Sequence, residues 1–266
     1  MQGLDPSIFA RGKDSMSTFL DKPFWIWNDH IHKIEYVNTN GHCCFNHLLS
    51  LPTKGGRQYP FFHFQSLIFN VLEENQNVWI KKARGIGLTT FVLRYLSWKI
   101  LSSNEMDYKA VYIITGNDET LDEVTSKFKN LFTMRFPLVK LESKFTDFWL
   151  KNTWIKIFSG KNVSDIEICD AAYLFTDEAD YLGYSEQKAL EHKASCFAEK
   201  GICKTIMAST PNRSGGLFQK IENDSTSKYA KLMLDYRYGL GTIYDRMFIE
   251  KKKSDPEFER EYNLKY

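Results

Sequence analysis

The apolar run Tyr173-Leu174-Phe175-Thr176 ends in two adjacent carboxylates, Asp177 and Glu178. A buried strand that delivers such a pair to its C-terminal tip can place one carboxylate on Mg²⁺ and the other on an attacking water, as nucleotide hydrolysis needs. Upstream, the strand Val78-Trp79-Ile80 leads through Lys81-Lys82-Ala83-Arg84-Gly85-Ile86-Gly87 into Leu88-Thr89-Thr90 and a helix. Strand, Gly turn and helix in that order aim successive backbone N–H groups and the positive end of a helix at one anion. Gly85 and Gly87 let the backbone approach phosphate oxygens. Thr89, with Thr90 as the alternative, supplies a hydroxyl for the metal. The usual phosphate loop carries lysine immediately before that hydroxyl, and here Leu88 stands in its place. Lys81 or Lys82 at the start of the loop, and Arg84 inside it, are the cations at hand to substitute. A guanidinium at Arg84 can grip a terminal phosphate with two donors and stabilise transferring charge in cis. A third strand, Thr205-Ile206-Met207-Ala208, ends in Ser209-Thr210-Pro211-Asn212, whose hydroxyls can hydrogen-bond a γ-phosphate or the catalytic carboxylate.

The elements that must hold these residues follow from periodicity. Helices are predicted over His63–Glu74, Leu88–Leu101, Asp118–Arg135 and Ser185–Glu199. Strands are predicted over Val78–Lys81, Ala110–Thr115, Trp154–Phe158, Ala172–Thr176, Lys204–Ala208 and Tyr229–Leu234. Strands alternating with helices predict an α/β fold, a mostly parallel sheet covered on both faces, with ligands at the carboxyl ends of the strands. Residues 1–59 read as an extension: a polar, poorly ordered Met1–Ser17, then an irregular Phe19–Pro60 with aromatic islands, turn signals at Asn40-Gly41 and Gly55-Gly56, and one short hairpin. Residues 60–250 form the predicted domain, and 251–266 a charged, helical linker toward something beyond it.

Composition narrows the classes. At 266 residues, 43% hydrophobic and 26% charged, the chain is an ordinary globular sequence. Its net charge of +2 gives no global pull toward nucleic acid or membrane, so any such contact must be local. No apolar segment approaches the roughly 20 residues that cross a bilayer, and an intracellular setting is expected. Cys43, Cys44, Cys169, Cys196 and Cys203 are irregularly spaced and read as free thiols. His30, His32, His42, His47 and His63 crowd near Cys43 and Cys44, but no paired C-x-x-C motif accompanies them, so packed or surface roles are expected over a zinc site.

In motif content and order the chain resembles the large terminase subunit, the packaging ATPase of tailed viruses. Lys82-Ala83-Arg84-Gly85-Ile86-Gly87-Leu88-Thr89-Thr90 is similar to its deviant Walker A, Leu174-Phe175-Thr176-Asp177-Glu178 to its Walker B with catalytic glutamate, and Ser209-Thr210-Pro211 to its coupling motif. Tyr59-Pro60-Phe61-Phe62-His63-Phe64-Gln65 resembles the segment whose glutamine reads adenine, and Asp255-Pro256-Glu257-Phe258-Glu259-Arg260-Glu261-Tyr262 the exit from the ATPase domain. The resemblance implies a P-loop NTPase fold of the ASCE/RecA-like type that uses ATP and Mg²⁺. It implies phosphates held by Lys81 or Lys82, Arg84 and the loop from Gly85 to Thr90, metal at Thr89 and Asp177, catalysis by Glu178 and Arg84, and coupling through Ser209 and Thr210. It also implies double-stranded DNA, a homo-oligomeric ring, a portal protein and a small terminase subunit as partners, in the host cytoplasm, with no membrane and no nuclease activity in this chain.

Other features point elsewhere. Asn117 or Asp118 reads as a helix N-cap, and Arg135, Arg213 and Arg237 as surface residues with the reach of trans-acting fingers. Asp177-Glu178-Ala179-Asp180 with Ser209-Thr210 resembles two motifs of superfamily 2 helicases, which also need a second RecA-like domain. A nucleotide-binding module without hydrolysis is the remaining alternative.

Overall fold

Short apolar runs bounded by turn signals become fully buried strands, and the longer amphipathic segments between them become helices. The computed structural model describes residues 24–28, 33–37, 62–102, 104–135, 140–164, 170–200 and 203–266. In chain order the first elements are β1 (Phe24–Asn28), β2 (Lys33–Val37), α1 (His63–Glu74), β3 (Asn77–Lys82), α2 (Leu88–Ser102), β4 (Ala110–Thr115) and α3 (Asp118–Arg135). Next come β5 (Leu141–Lys144), β6 (Asp147–Leu150), β7 (Thr153–Ser159), β8 (Ala171–Asp177), α4 (Tyr184–Lys200) and β9 (Lys204–Ser209). The last are α5 (Leu217–Asn223), β10 (Ala230–Leu234), α6 (Tyr236–Gly239), α7 (Arg246–Lys252) and α8 (Phe258–Glu261).

The chain divides into two units, one of residues 1–61, 89–108 and 125–154, the other of 62–88, 109–124 and 155–266. In the first, β1 and β2 pair antiparallel, Phe24 opposite Val37, which supplies the expected hairpin. The Asn40-Gly41 and Gly55-Gly56 turns, and Cys43 and Cys44 with their neighbouring histidines, lie outside the described residues. β5 and β6 also pair antiparallel, Leu141 opposite Leu150. Phe128 of α3 packs edge-on against Phe132 and Phe148, with ring centroids 5.3 and 5.1 Å away.

The second unit holds the strand order β10–β3–β9–β8–β4–β7. Its β10–β3, β3–β9, β9–β8 and β8–β4 pairs are all parallel. β3, β4 and β8 are buried along their whole length, as strands covered on both faces must be. Trp79 of β3 stacks on Phe218 of α5 at 4.4 Å, and its indole N–H donates to the Phe218 carbonyl at 3.1 Å. α1 turns Phe64, Ile68 and Leu72 inward at helical spacing.

The predicted elements are present with ends shifted by one residue or less. Two of those shifts take Asp177 into β8 and Ser209 into β9. The segment 251–266, expected as a linker, is packed in the second unit: Phe258, Tyr262 and Leu264 are buried. Cys196 and Cys203 are free thiols, and burial pushes the Cys203 thiol up to about 12. Among the described residues no helix is long and apolar enough to cross a membrane.

Candidate nucleotide site

Three neighbouring parallel strands, β3, β9 and β8, end at the same edge of the second unit. Their register pairs Lys81 with Ser209 and Ala208 with Asp177, which sets Glu178 level with Ser209 and one step short of Lys82. Strands lie about 4.8 Å apart, so β3 and β8 tips separated by β9 are roughly 10 Å apart, a gap that a lysine and a glutamate side chain can close together. They do: the Lys82 ammonium donates to Glu178 Oε1. The other carboxylate oxygen, Oε2, accepts from the Thr210 backbone N–H at 3.2 Å and from Ser209 Oγ at 3.3 Å. One carboxylate thus ties the end of β3 to the end of β9 and the residue after it.

Alternation along β3 sends its two lysines to opposite faces. Lys81 binds both oxygens of Glu222 at 2.8 Å and lies 4.4 Å over the Tyr266 ring. Of the two lysines left open by sequence, only Lys82 therefore meets Glu178. Burial alone would lower the Lys82 pKa, but the charges of Glu178 and Asp177 outweigh it and hold the ammonium above its ordinary value.

Beyond Lys82 the turn is shaped by Gly85 and Gly87, at φ +79° and +88°, a region side chains rarely adopt. A Cβ at either position would meet nothing within 4 Å, so open space lies over the turn. The Ala83 and Arg84 N–H groups donate to the Leu234 and Glu261 carbonyls at 2.8 and 2.9 Å, and the Ile86 N–H donates to the Ala83 carbonyl at 3.4 Å. Leu88 opens α2 at 2% exposure, and Thr89 and Thr90 follow it on the helix. Arg84 is 63% exposed and pairs with Glu261 of α8, Nη1 to Oε1 at 2.5 Å. That hydrogen bond holds its pKa above the ordinary arginine value.

Glu178 sits at φ 54°, ψ 45°, a left-handed conformation in a residue with a Cβ. Such strain is retained where surrounding bonds fix it, and here those bonds are Lys82, Ser209 and Thr210. Asp177, 4% exposed, ends β8. Asp180 is fully enclosed; its Oδ2 accepts from the Asn212 and Arg213 N–H groups at 2.6 and 3.0 Å, and its own N–H donates to Ser209 Oγ at 3.1 Å. The last residue of the D-E-A-D run is thus an anchor for the loop after β9. Gly116 after β4 packs so closely that an added Cβ would lie 3.1 Å from Glu178 Cβ.

Other sequence-marked residues are placed as follows. The Gln65 side-chain oxygen accepts the Phe62 N–H at 3.0 Å and caps α1. Asn117 caps α3 by accepting from Thr120 N at 2.9 Å. Arg237 pairs with Asp235 at the start of α6, Arg213 lends its main chain to Asp180, and the Arg135 side chain is outside the described residues. Sequence reasoning gave Tyr244 no part in the site and quoted Arg260 and Glu261 only within the exit segment, yet all three reach its loops. Arg260 Nη1 donates to Tyr181 Oη at 2.9 Å and to the Pro211 carbonyl at 3.1 Å, and Tyr244 Oη donates to the Arg84 carbonyl at 2.7 Å. No short-range pattern marks them, because they arrive from the far C-terminal segment.

The donor set fits a polyphosphate: a buried cation, an exposed cation and a glycine turn under open space. Among the described residues no group of three or more His, Cys, Asp or Glu side chains gathers to hold a metal. A divalent ion at the tip of β8 would accordingly take Asp177 together with phosphate oxygens and water.

No family model matches the sequence, and no curated protein matches it. Solved structures do. The fold is similar to the large terminase ATPase domain of Thermus phage P74-26, at 13% identity and a TM-score of 0.57, covering 81% of this chain and 98% of that one. It is similar to the large terminase of bacteriophage HK97 at 15% identity and a TM-score of 0.63, over 83% of this chain and 53% of that one. The large terminase of a thermophilic bacteriophage, solved in complex with ADP, matches at 12% identity and a TM-score of 0.60, over 76% of this chain and 53% of that one. The chain spans about half the length of the HK97 protein and of the ADP-bound one. A mostly parallel sheet alternating with helices, entered through a glycine turn, gives this chain the P-loop NTPase fold of the large-terminase ATPase domains.

Proposed function

We propose that this chain is the ATPase domain of a viral DNA-packaging motor, over residues 60–250 with 251–266 leading out of it, and that it hydrolyses ATP to move double-stranded DNA. The observation that carries this reading is the convergence of Lys82, Ser209, Thr210 and Glu178 at three adjacent strand tips, joined through one carboxylate. Lys82 rather than Lys81 takes the place of the missing Walker A lysine. Backbone N–H groups from Gly85 onward and Arg84 hold the remaining phosphate charge. Thr89 and Asp177 hold Mg²⁺, which when bound draws negative charge away from the phosphate oxygens. Glu178 orients a water and takes up its proton. Ser209 and Thr210 are bonded to the same carboxylate, so whatever moves Glu178 moves the loop they begin. Gln65 reads adenine only by giving up its cap on α1, an exchange of about 1 kcal/mol. The similarity to terminases also suggests a homo-oligomeric ring, portal and small-subunit partners, and a host-cytoplasmic setting.

Glu178→Gln tests this directly. Phosphate release measured by malachite green, with and without DNA, should fall at least about 100-fold while ATP binding stays within a few-fold of wild type. Retained hydrolysis would remove Glu178 from the role, and a wild-type chain that binds no ATP would remove the function.

A further inference from the structure

A cavity lies at the other edge of the second unit. Asn77 opens β3, and β10 runs parallel to it with Ala230 opposite Val78. Tyr229 therefore stands level with Asn77 at the amino ends of these strands, away from the carboxyl ends that carry Lys82 and Glu178. Helical spacing puts Leu217 and Ile221 on one face of α5, and Glu191 and Ser195 on one face of α4. These faces, with Met207 of β9 as floor and the 224–229 loop as rim, bound a cavity of about 290 Å³. That is the lower end of the size range of small-ligand sites, roughly 300–1,000 Å³. The rim is fixed by its own bonds. Asp224 Oδ1 accepts from the Thr226 N–H at 2.8 Å and from Thr226 Oγ1 at 2.7 Å, and Lys231 Nζ donates to the Asp224 carbonyl at 2.6 Å. Three polar side chains of the lining are not satisfied in this way. Among the described residues, no protein group hydrogen-bonds to the side chain of Asn77, which is 9% exposed, to the Tyr229 phenol or to the Glu191 carboxylate. Burial and then the nearby Glu191 charge raise the Tyr229 pKa, so phenol and carboxylate share one environment. Two carboxylates, Glu191 and Asp224, against one ammonium, Lys228, leave the lining with an excess negative charge.

We propose that this cavity binds a small organic monocation, an amidine or alkylamine on an apolar body, with its charged end paired to Glu191 and its body laid over Met207, Leu217 and Ile221. An anion would meet the excess negative charge. A neutral apolar ligand would cover Glu191, Asn77 and Tyr229 without giving them partners, at a desolvation cost for each. A cation with several N–H donors gives Glu191 a charge-assisted hydrogen bond and offers further donors to the Asn77 and Tyr229 oxygens. A bare metal ion fits poorly, because among the described residues no group of three or more His, Cys, Asp or Glu side chains gathers to hold one. The site is independent of the glycine turn, and either reading can fail without the other.

Amide chemical shifts of the isotope-labelled full chain, titrated with benzamidine, test this, with neutral benzamide and anionic benzoate as comparisons and melting curves as a fold control. Benzamidine should bind with a dissociation constant of roughly 1–10 mM, shifting the amides of residues 191–195 and 224–229 and leaving the glycine turn unmoved. Benzamide, nearly the same in shape, should bind at least about threefold more weakly, and benzoate should not bind. Glu191→Gln should weaken benzamidine by about threefold to tenfold and bring it level with benzamide. Tyr229→Phe should weaken it by about twofold to fivefold. A glutamate that merely supported α4 would not set the preference for amidine over amide. Equal binding of benzamidine and benzamide, shifts that fall outside the cavity, no binding, or an affinity unchanged in Glu191→Gln overturns the proposal.

Discussion

Asp180 shows how much of this site depends on one enclosed carboxylate. Replacing it with alanine would strip the Asn212 and Arg213 N–H groups of their shared acceptor, a loss of about 2–4 kcal/mol. Melting should fall by roughly 5–15 °C, whereas Asp180→Asn, which keeps an acceptor oxygen, should stay within about 3 °C of wild type. Burial raises the Asp180 pKa against the lowering effect of those two N–H bonds, so the native state binds its proton more tightly than the unfolded chain. The resulting stabilisation is complete below the ordinary carboxylate value of 3.8 and is lost as pH rises through the raised native value. Melting followed between about pH 4 and 7 should show that slope in wild type and lack it in Asp180→Asn. Sequence alone marked Asp177 and Glu178 as two carboxylates closing an apolar run, and the register of β8 against β9 puts them at the strand tip. It could not choose between Lys81 and Lys82, since that choice lies in the register of β3 against β9. It marked Glu261 only as part of the exit segment, because its contact with Arg84 joins distant parts of the chain.

At the scale of elements, the parallel order β3–β9–β8 is what sets the chemistry side by side, and Trp79 locks β3 to α5. Trp79→Ala should cost about 3–5 kcal/mol and Trp79→Phe, which keeps the stack but loses the indole donor, nearer 1–2 kcal/mol, both readable by urea denaturation. Strands such as Ala110–Thr115 were legible because burial on both faces demands an unbroken apolar run. The β5–β6 hairpin was not: Leu141–Lys144 is largely exposed and has no alternation. Its turn places Phe145 at φ 56°, where Gly or Asn would have given a turn signal. The small helices α5 to α8 are each seven residues or fewer, too short for periodicity to declare them.

For the whole molecule the modest net charge of +2 means that ligand affinity must come from local arrays rather than a general field. A nucleotide that binds only the folded chain should raise its stability by about 2.7 kcal/mol at a hundredfold excess over Kd, seen as an upward melting shift of roughly 5–10 °C. ADP and β,γ-imido-ATP compared by thermal shift would check this, and the absence of any shift with either would count against the site. One buried residue also limits how the loop can change. Leu88 is 2% exposed at the start of α2, where the usual phosphate loop carries its ammonium. A lysine kept at that depth would bury a charge, at several kcal/mol, before any benefit to binding appeared. On the proposed reading, the cation at position 82 and the buried aliphatic chain at position 88 go together. A lysine at position 88 would be tolerated only with the surrounding packing changed in the same step.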